Sequence, residues 1–446
     1  MQNINYKPKF FVDSYETRKT IAAHQIGDGI NLVIDNSNSK GNIVDKNTGK
    51  IYLDFFTCFA SMPLGYNHPK LLEENFLNYI AHHSLNKPSN SDLYSEVQAT
   101  FTNTLFNLAV PNNDFKYSFY IEGGALAVEN ALKAAMDWKV RKNIRKGKSE
   151  YIGTKVLHFK QAFHGRSGYT LSITNTDPTK VRYFPKFDWP RVENPKIIFP
   201  LEKNIDDIIN REKESIAQIE QEFKNNKDDI CCIIIEPIQG EGGDNHFRND
   251  FFIELRRICD ENDALLIFDE VQTGVGMTGK MWAYEHLTIK PDILCFGKKM
   301  QVCGILSNTR IDEVEDNVFH KSSRINSTWG GNYTDMVRAT KYLEIIEEDN
   351  LIYNSDQMGN YLHKLLVQLQ NNYPDLITGV RGKGLFRAFD IKQDLRKPML
   401  EKCFQNGIIV LACGNNSIRF RTRLNITESE LDEGVNLISS SLKQII

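Results

Sequence analysis

The chain has 446 residues, of which 41% are hydrophobic and 25% are charged, a composition typical of a globular protein with one large domain and a smaller one. Its net charge of -3 and the lack of a lysine-rich stripe argue against a nucleic-acid partner. No apolar stretch approaches the roughly eighteen residues that span a bilayer, which argues against a membrane partner. We therefore expect its partners to be small molecules or another copy of the chain.

The eight cysteines include no pair at the C-x-x-C spacing, and most of them lie inside apolar runs. Free thiols in a reducing cytoplasm are therefore favoured over disulfides or metal ligands. The N-terminal sequence has no apolar core of signal-peptide length, which agrees with a cytoplasmic location.

Short apolar runs alternate with longer helical patterns through the middle of the chain, which predicts an α/β fold with a mainly parallel sheet between two layers of helices. The clearest runs are residues 156–159, 231–237, 264–270 and 292–298. Each run is nearly all apolar until its last one or two residues. A strand buried on both faces has this pattern, and its polar end projects at the carboxyl edge of the sheet. Functional groups from separate strands should therefore converge there.

The flanking segments have different patterns. Residues 201–229 carry apolar side chains at helical spacing among many charges, which predicts a solvated amphipathic helix. After about residue 335, two helical stretches, strand-like pieces and a last helix predict a compact α+β domain. Thr427 and Glu430 stand at capping-box spacing before that last helix.

Two of the apolar runs end in opposite charges. Asp269 ends one run and Lys298 ends the next. A buried carboxylate needs a cationic partner, which the protonated pyridine nitrogen of pyridoxal 5'-phosphate supplies, and a lysine amine condenses with the aldehyde of that cofactor. Lys299 is an alternative to Lys298, but adjacent side chains of a strand point to opposite faces, so only one enters the site, and we choose Lys298. Gln272 lies where it would donate to the phenolic oxygen of the cofactor.

Two further segments suit the same cofactor. Gly124 and Ala125 end a strand-like run and open a helix, whose free N–H groups and positive dipole end attract a phosphate. Phe163 is suited to stack on a pyridine ring, and Arg166 to grip a carboxylate with two N–H groups. His164, between them, is interpreted as a structural residue or one that supports a neighbouring site residue, which is slightly favoured over a catalytic role. The simpler alternatives are a plain turn at Gly124 and Ala125, a core phenylalanine at 163 and a surface arginine at 166. The functional interpretation therefore depends on all of these residues occurring in the same chain.

Two loops hold weaker candidates. Glu241 lies in a glycine-rich loop, where a solvated acid and a functional one are equally good interpretations. Asn326, Ser327 and Thr328 offer polar groups to a phosphate, although the same residue types are ordinary turn formers.

Three arginines alternate near the C-terminus. Arg419, Arg421 and Arg423 occupy alternate positions of a strand-like piece, so we expect all three side chains to share one strand face. Such a face is either an anion site or a solvated edge.

These motifs resemble the class III pyridoxal phosphate aminotransferases of fold type I, and the similarity covers nearly the whole chain. DEVQTG followed by GKK is specific to the class. Within the class, the chain most resembles the lysine 6-aminotransferases, on the segments at 87–95, 123–135, 164–172, 296–304 and 324–339.

The resemblance implies a division of the chain into three parts. An N-terminal segment, 1–79, would contribute to the small domain and to dimer contacts. Residues 80–334 would form the large cofactor-binding domain, and residues 335–446 the small domain.

The resemblance also implies roles for single residues. Lys298 would bind the cofactor, Asp269 would face the pyridine nitrogen, and Gln272 would lie near the ring oxygen and the substrate. The further cofactor contacts would be Gly124, Ala125, Phe163 and Ser327. Thr328 would reach the phosphate from the neighbouring subunit of a homodimer.

The implied reaction is a ping-pong transfer of the ε-amino group of L-lysine to 2-oxoglutarate, which gives 2-aminoadipate 6-semialdehyde and glutamate. Arg166 would hold the α-carboxylate of lysine, and Arg419 would hold that of 2-oxoglutarate or glutamate. Glu241 would neutralise Arg419 when lysine is bound, and Asn326 would contact the substrate. The alternatives are an ornithine or 4-aminobutyrate aminotransferase, a regulator that binds the cofactor without turnover, and a decarboxylase or racemase on the same scaffold.

Overall fold

The computed structural model describes residues 6–446, so residues 1–5 of the predicted N-terminal segment lie outside the described part. The strands of the described residues are β1 (Ile43–Val44), β2 (Ile51–Asp54), β3 (Tyr117–Ile121), β4 (Lys155–Phe159), β5 (Arg191–Val192), β6 (Ile230–Ile235), β7 (Leu265–Asp269), β8 (Ile293–Phe296), β9 (Cys303–Ser307), β10 (Ile377–Lys383), β11 (Phe386–Ile391), β12 (Ile408–Ile409), β13 (Leu411–Cys413) and β14 (Ser417–Phe420). The helices are α1 (Ser14–His24), α2 (Thr57–Ala60), α3 (Glu74–Ser84), α4 (Glu96–Leu108), α5 (Gly124–Arg145), α6 (Gly168–Ile173), α7 (Leu201–Asn225), α8 (Asn249–Glu261), α9 (Tyr333–Glu348), α10 (Leu351–Asn372), α11 (Gln393–Gln405) and α12 (Glu428–Lys443).

A seven-stranded sheet forms the centre of the molecule, in the order β3-β9-β8-β7-β6-β4-β5. β9 runs antiparallel to both of its neighbours, and the other pairings are parallel. The four apolar runs of the sequence are β4, β6, β7 and β8, which lie side by side in this sheet. The predicted mainly parallel α/β fold is thus confirmed.

Alternate residues of the central strands pack against helices on opposite faces of the sheet, because successive side chains of a strand point to opposite sides. In β7, Leu265 and Ile267 belong to the same apolar cluster as the buried alanines of α5. Leu266 and Phe268 belong to the cluster that contains the buried phenylalanines of α8. Burial of one such side chain stabilises the fold by about 1.5–3 kcal/mol. Only the ends of these strands are therefore free to carry polar groups.

The amphipathic helix predicted at 201–229 is α7. Its buried positions recur every three or four residues and are Ile208, Glu212, Ser215, Ile219 and Phe223. The one acid among them, Glu212, accepts a hydrogen bond from Arg248 Nη1 at 2.9 Å, so the buried carboxylate has a cationic partner.

There are two smaller sheets, and one of them joins the two ends of the chain. One has the order β1-β2-β12 and the other the order β10-β11-β14-β13. β12 pairs in parallel with β2, with Ile408 opposite Leu53. α12 begins with the predicted capping box, in which Thr427 and Glu430 bond reciprocally.

No helix within residues 6–446 combines the length and the apolar character that a membrane crossing requires. All eight cysteines are free. Burial raises the pKa of several of these thiols, for example that of Cys413 to about 12, so they stay protonated and unreactive at neutral pH.

Candidate active site

Three ionisable side chains meet at the carboxyl edge of the central sheet. Asp269 is the last residue of β7, Glu236 directly follows β6, and Lys298 lies two residues beyond the end of β8. Since β6, β7 and β8 are parallel neighbours, their carboxyl ends lie at the same edge. The convergence predicted from the apolar runs is therefore present.

The Asp269 carboxylate is buried and bonded on both oxygens. Its Oδ2 lies 2.8 Å from Nδ1 of His164, and its Oδ1 accepts a hydrogen bond from the Val271 amide at 3.1 Å. The amide of His164 donates to Thr174 Oγ1 at 2.9 Å, which fixes the loop that carries the ring. His164 thus contacts Asp269 directly and orients its carboxylate, in line with a supporting role.

Glu236 holds two loops together at the same edge. Its Oε1 accepts from the Phe163 amide at 2.9 Å, and its Oε2 accepts from the Gly240 amide at 3.0 Å. Burial raises the pKa of this carboxyl to about 7, against the opposing influence of His164. Glu236 therefore connects the loop of Phe163 to the loop of Glu241.

Lys298 and Lys299 differ in their surroundings, but not for the reason predicted. β8 ends at Phe296, and Lys298–Met300 form a short 3₁₀ helix, so strand alternation does not apply to the two lysines. Lys299 is buried, and its Nζ donates to the main-chain oxygen of Gln272 at 2.6 Å.

Lys298 has a free amine. Its Nζ has no hydrogen-bond partner among the described residues, and its φ of 50° lies in the strained left-handed region. Burial and the neighbouring Arg419 guanidinium lower the pKa of Lys298 to about 8. A nucleophilic amine needs to be neutral, so this environment suits covalent chemistry.

The side chain of Gln272 is oriented by two guanidinium groups. Its Oε1 accepts from Arg419 Nη1 at 3.2 Å and from Arg421 Nη2 at 2.9 Å. A guanidinium group can only donate, so the amide oxygen must face it, which leaves the NH₂ group of Gln272 free to donate elsewhere. The fit is close, because a Cβ at Gly240 would lie 2.3 Å from this oxygen.

The Glu241 carboxylate lies between two cations. Its Oε2 accepts from Arg419 Nη2 at 3.1 Å, and its Oε1 contacts Nζ of Lys180. Burial raises the pKa of Glu241, but Arg419 and Lys180 outweigh it, and the pKa is lower than usual. The structure thus pairs Glu241 with Arg419, as expected for a carboxylate that neutralises this guanidinium group, and adds Lys180, which the sequence did not point to.

The three arginines do not share a strand face, because β14 ends at Phe420. Arg423 donates to both carboxylate oxygens of Glu430 at 2.6 Å. Arg421 donates to both oxygens of Asp244, at 3.0 and 2.6 Å. Arg419 is buried, and its Nε has no partner among the described groups. Of the three, Arg419 therefore has an unused donor for an incoming carboxylate.

The start of α5 lies against the loop that carries Phe163. α5 begins at Gly124 after Gly123 with a φ of 107°, and the first amides of a helix have no partner within it. A Cβ at Gly165 would lie 2.4 Å from Cβ of Ala125, so the two segments touch. Phe163 is half-buried in this loop.

Arg166 is exposed and forms no ion pair among the described residues. It lines a cavity of about 620 Å³ together with Lys180. A carboxylate that enters this cavity would thus meet an unpaired guanidinium group.

The segment 326–328 has no recorded contact with these groups. Asn326 and Thr328 are exposed, and the main-chain oxygen of Ser327 accepts a hydrogen bond from the Ser91 hydroxyl. Among the described residues, no hydrogen bond joins the segment to Lys298 or to the start of α5. Within one copy of the chain, these three residues are therefore not part of the candidate active site.

The residues present fit pyridoxal phosphate. The buried Asp269 carboxylate suits a protonated pyridine nitrogen, and the free amides of the α5 N-terminus suit a phosphate. The Lys298 amine suits an aldehyde, and the half-buried Phe163 ring suits a planar aromatic group. These residues therefore suit both the pyridine ring and the phosphate group of the predicted cofactor.

Some of the site residues were not identified from the sequence. Glu236 is the polar end of a buried strand, so the rule that pointed to Asp269 also applies to it. Lys180, Asp244 and Arg421 carry no such signal. Lys180 ends a short 3₁₀ helix, Asp244 and Arg421 lie in loops, and their folded partners are far away in the chain.

Comparisons with known proteins agree with this geometry. The profile of the family described as Aminotransferase class-III matches residues 27–442. The L-lysine-epsilon aminotransferase of Mycobacterium tuberculosis is 48% identical over 93% of this chain and 92% of that protein. The L-lysine-epsilon aminotransferase of Amycolatopsis lactamdurans is 44% identical over 96% of each chain. The solved structure of lysine aminotransferase from M. tuberculosis in the internal aldimine form superposes with a TM-score of 0.95 at 45% identity, covering 98% of this chain and 100% of the other.

Proposed function

This chain belongs to the class III aminotransferases, which depend on pyridoxal phosphate, and on that premise we propose that it transfers the ε-amino group of L-lysine to 2-oxoglutarate. The products are 2-aminoadipate 6-semialdehyde and glutamate. The names and the high similarity of the relatives support lysine as the donor. The observation that carries the proposal is the buried Arg419 covered by Glu241, since a removable cover lets one pocket accept two unlike substrates.

The residues proposed to hold the cofactor are Gly124, Ala125, Phe163, Asp269, Gln272, Lys298 and, from a second subunit, Ser327 and Thr328. When bound, the cofactor carries the amino group between the two substrates and withdraws electrons from the carbon that loses a proton. Asp269, held by His164, would face the pyridine nitrogen with a negative charge. Gln272, whose oxygen is held by Arg419 and Arg421, would donate its free NH₂ group to the phenolic oxygen.

Lys298 moves the proton at the reacting carbon. Burial and Arg419 lower the pKa of its amine to about 8, so a large fraction is neutral near that pH. The neutral Nζ takes a proton from the ε-carbon of substrate lysine and later returns one, as general base and then general acid.

The two substrates use different arginines. Arg166 binds the α-carboxylate of lysine, so that the distant ε-amine, and not the α-amine, reaches the reacting centre, where Asn326 and Gln272 contact the substrate. Arg419 stays covered by Glu241 during this half of the reaction. The α-carboxylate of 2-oxoglutarate then displaces Glu241 from Arg419. A charge-assisted hydrogen bond contributes about 1.5–3 kcal/mol, which a substrate carboxylate can match.

The proposal includes a homodimer with sites at the subunit interface, in which Ser327 and Thr328 serve the partner subunit. The exposure of Thr328 supports this arrangement, as do the exposed apolar side chains of Leu85, Leu93 and Tyr94. Sedimentation velocity of the holoenzyme would test the assembly, and a monomer at assay concentration would contradict it.

We also infer the domain division at residues 79 and 334 and a cytoplasmic location. The parallel pairing of β12 with β2 supports a small domain built from both ends of the chain. The eight free cysteines agree with a reducing compartment.

An amino-donor screen tests the function. Lysine, ornithine and 4-aminobutyrate are each supplied with 2-oxoglutarate to the holoenzyme, and glutamate is measured. We expect the highest kcat/KM with lysine, and no turnover by Lys298→Ala as the control. A higher kcat/KM with ornithine or 4-aminobutyrate would move the assignment to that substrate. Conversion of the amino donor in the absence of 2-oxoglutarate, followed by the loss of the donor or by its change of chirality, would indicate a decarboxylase or racemase.

A further inference from the structure

The Glu241 carboxylate binds two cations at once, one buried and one near the surface. Arg419 Nη2 lies 3.1 Å from Oε2, and Lys180 Nζ contacts Oε1. The side chain of Arg419 is 3% exposed, whereas those of Glu241 and Lys180 are each 26% exposed. We propose that Lys180 is the anchor that holds Glu241 after it leaves Arg419, and that Lys180 thereby sets the affinity for the dicarboxylate substrate. This inference rests on the proposed function.

Lys180 is held independently of the glycine-rich loop that carries Glu241. It ends a short 3₁₀ helix, Pro178–Lys180, whose N-cap Asp177 accepts from the Thr179 amide at 2.9 Å. Its Nζ lies 5.4 Å from the centroid of the Phe163 ring, within the range of a cation–π contact. The anchor therefore has a defined position before Glu241 moves.

The backbone around Glu241 is also held. The Gly414 amide donates to the main-chain oxygen of Glu241 at 2.9 Å, and the Gly240 amide donates to Glu236 at 3.0 Å. In the proposed switch, the side chain of Glu241 therefore rotates while its backbone keeps these hydrogen bonds.

The charges explain why Lys180 favours the released position. With Glu241 on Arg419, two cations share one carboxylate and repel each other across it. When a dicarboxylate neutralises Arg419, this repulsion is relieved and both oxygens of Glu241 become available to Lys180. Without Lys180, the released carboxylate would be left partly buried and unpaired, which is costly.

A different role for Lys180 has to be separated from this one. Lys180 lines the same cavity as Arg166, where it would add a second positive charge for the α-carboxylate of lysine. That role affects lysine, whereas the anchor affects dicarboxylates through Glu241.

The test uses Lys180→Met holoenzyme and glutarate, an unreactive dicarboxylate, whose Kd is measured by isothermal titration calorimetry. We expect the Kd for glutarate and the KM for 2-oxoglutarate to rise roughly threefold to tenfold, with a smaller change in the KM for lysine. Lys180→Arg keeps the positive charge, so its Kd for glutarate and its KM for 2-oxoglutarate should stay close to those of the wild type. Arg182→Met is the matched control, because it removes a positive charge two residues away from Lys180, on a side chain that packs on the Tyr183 ring. It should change the Kd for glutarate by less than about twofold.

A double-mutant cycle makes the test specific. In a Glu241→Gln background there is no carboxylate to anchor, so Lys180→Met should have no further effect on glutarate. An unchanged glutarate Kd in the single variant, or a full effect in the Glu241→Gln background, would overturn the anchor. A lysine KM that rises as much as that for 2-oxoglutarate would do so as well. If the wild-type enzyme does not accept lysine, the proposed function fails, and the glutarate measurements still decide the anchor.

Discussion

Removal of Asp244 from its buried pair with Arg421 should destabilise the protein, because a buried charge would be left without its counter-ion. Both residues are 0% exposed, and the carboxylate oxygens lie 3.0 and 2.6 Å from the two terminal nitrogens of the guanidinium group. The guanidinium carbon lies 3.4 Å from the centroid of the Phe386 ring, and its Nη2 also donates to Gln272. The change to make is Asp244→Asn, since asparagine tolerates the φ of 48° at this position.

The substitution leaves Arg421 charged and buried without its counter-ion. Removal of one partner from a buried ion pair costs about 3–5 kcal/mol, and the retained amide oxygen puts the expected cost near the lower end. Unfolding entropy is about 2.1 cal/mol/K per residue, which for 446 residues is about 0.9 kcal/mol/K. A loss of about 3 kcal/mol therefore lowers Tm by about 3 °C.

Thermal unfolding followed by circular dichroism would measure this shift. The control is Glu16→Gln, which breaks the surface ion pair between Glu16 and Lys19. The Glu16 side chain is 57% exposed and that of Lys19 is 81% exposed, so the control should shift Tm by less than about 1 °C. The double variant Asp244→Asn/Arg421→Met should be less destabilised than the sum of the single variants, because no uncompensated charge stays buried. The reasoning is wrong if Asp244→Asn shifts Tm no more than the surface control does.

Three further predictions concern the chemistry of the site. Burial and Arg419 lower the pKa of Lys298 to about 8, so the amine is protonated below that pH and neutral above it. The rate at which the apoenzyme binds pyridoxal phosphate should therefore rise as the pH passes through about 8. A rate that does not change with pH, measured by stopped-flow absorbance, would count against this. Glu241→Ala uncovers Arg419, so α-amino substrates should bind more readily, and steady-state selectivity between lysine and α-amino acids should fall; unchanged selectivity would exclude the switch. Arg166→Ala should raise the KM for lysine by at least about tenfold, since a charge-assisted contact is lost, with a smaller effect on 2-oxoglutarate; a lysine KM like that of the wild type would exclude the role of Arg166.

Much of the scaffold is readable in the sequence. The runs that became β4, β6, β7 and β8 are apolar because both of their faces are buried, and this pattern does not depend on distant residues. The polar residue at the end of such a run must lie at the sheet edge, which is why Asp269 was identified. The start of α5 was predicted for a similar reason, since a glycine pair between a strand and a helix is a local signal.

The sequence by itself therefore determined the sheet, the acid at its edge and the approximate location of the amine. Only the tertiary structure decided which groups are paired: Lys299 with the main chain of Gln272, Arg421 with Asp244, and Glu241 with both Arg419 and Lys180. The physical reason is that burial leaves a periodic pattern along the chain. An ion pair depends on the distance between a few atoms from separate loops, and that distance exists only after the chain has folded.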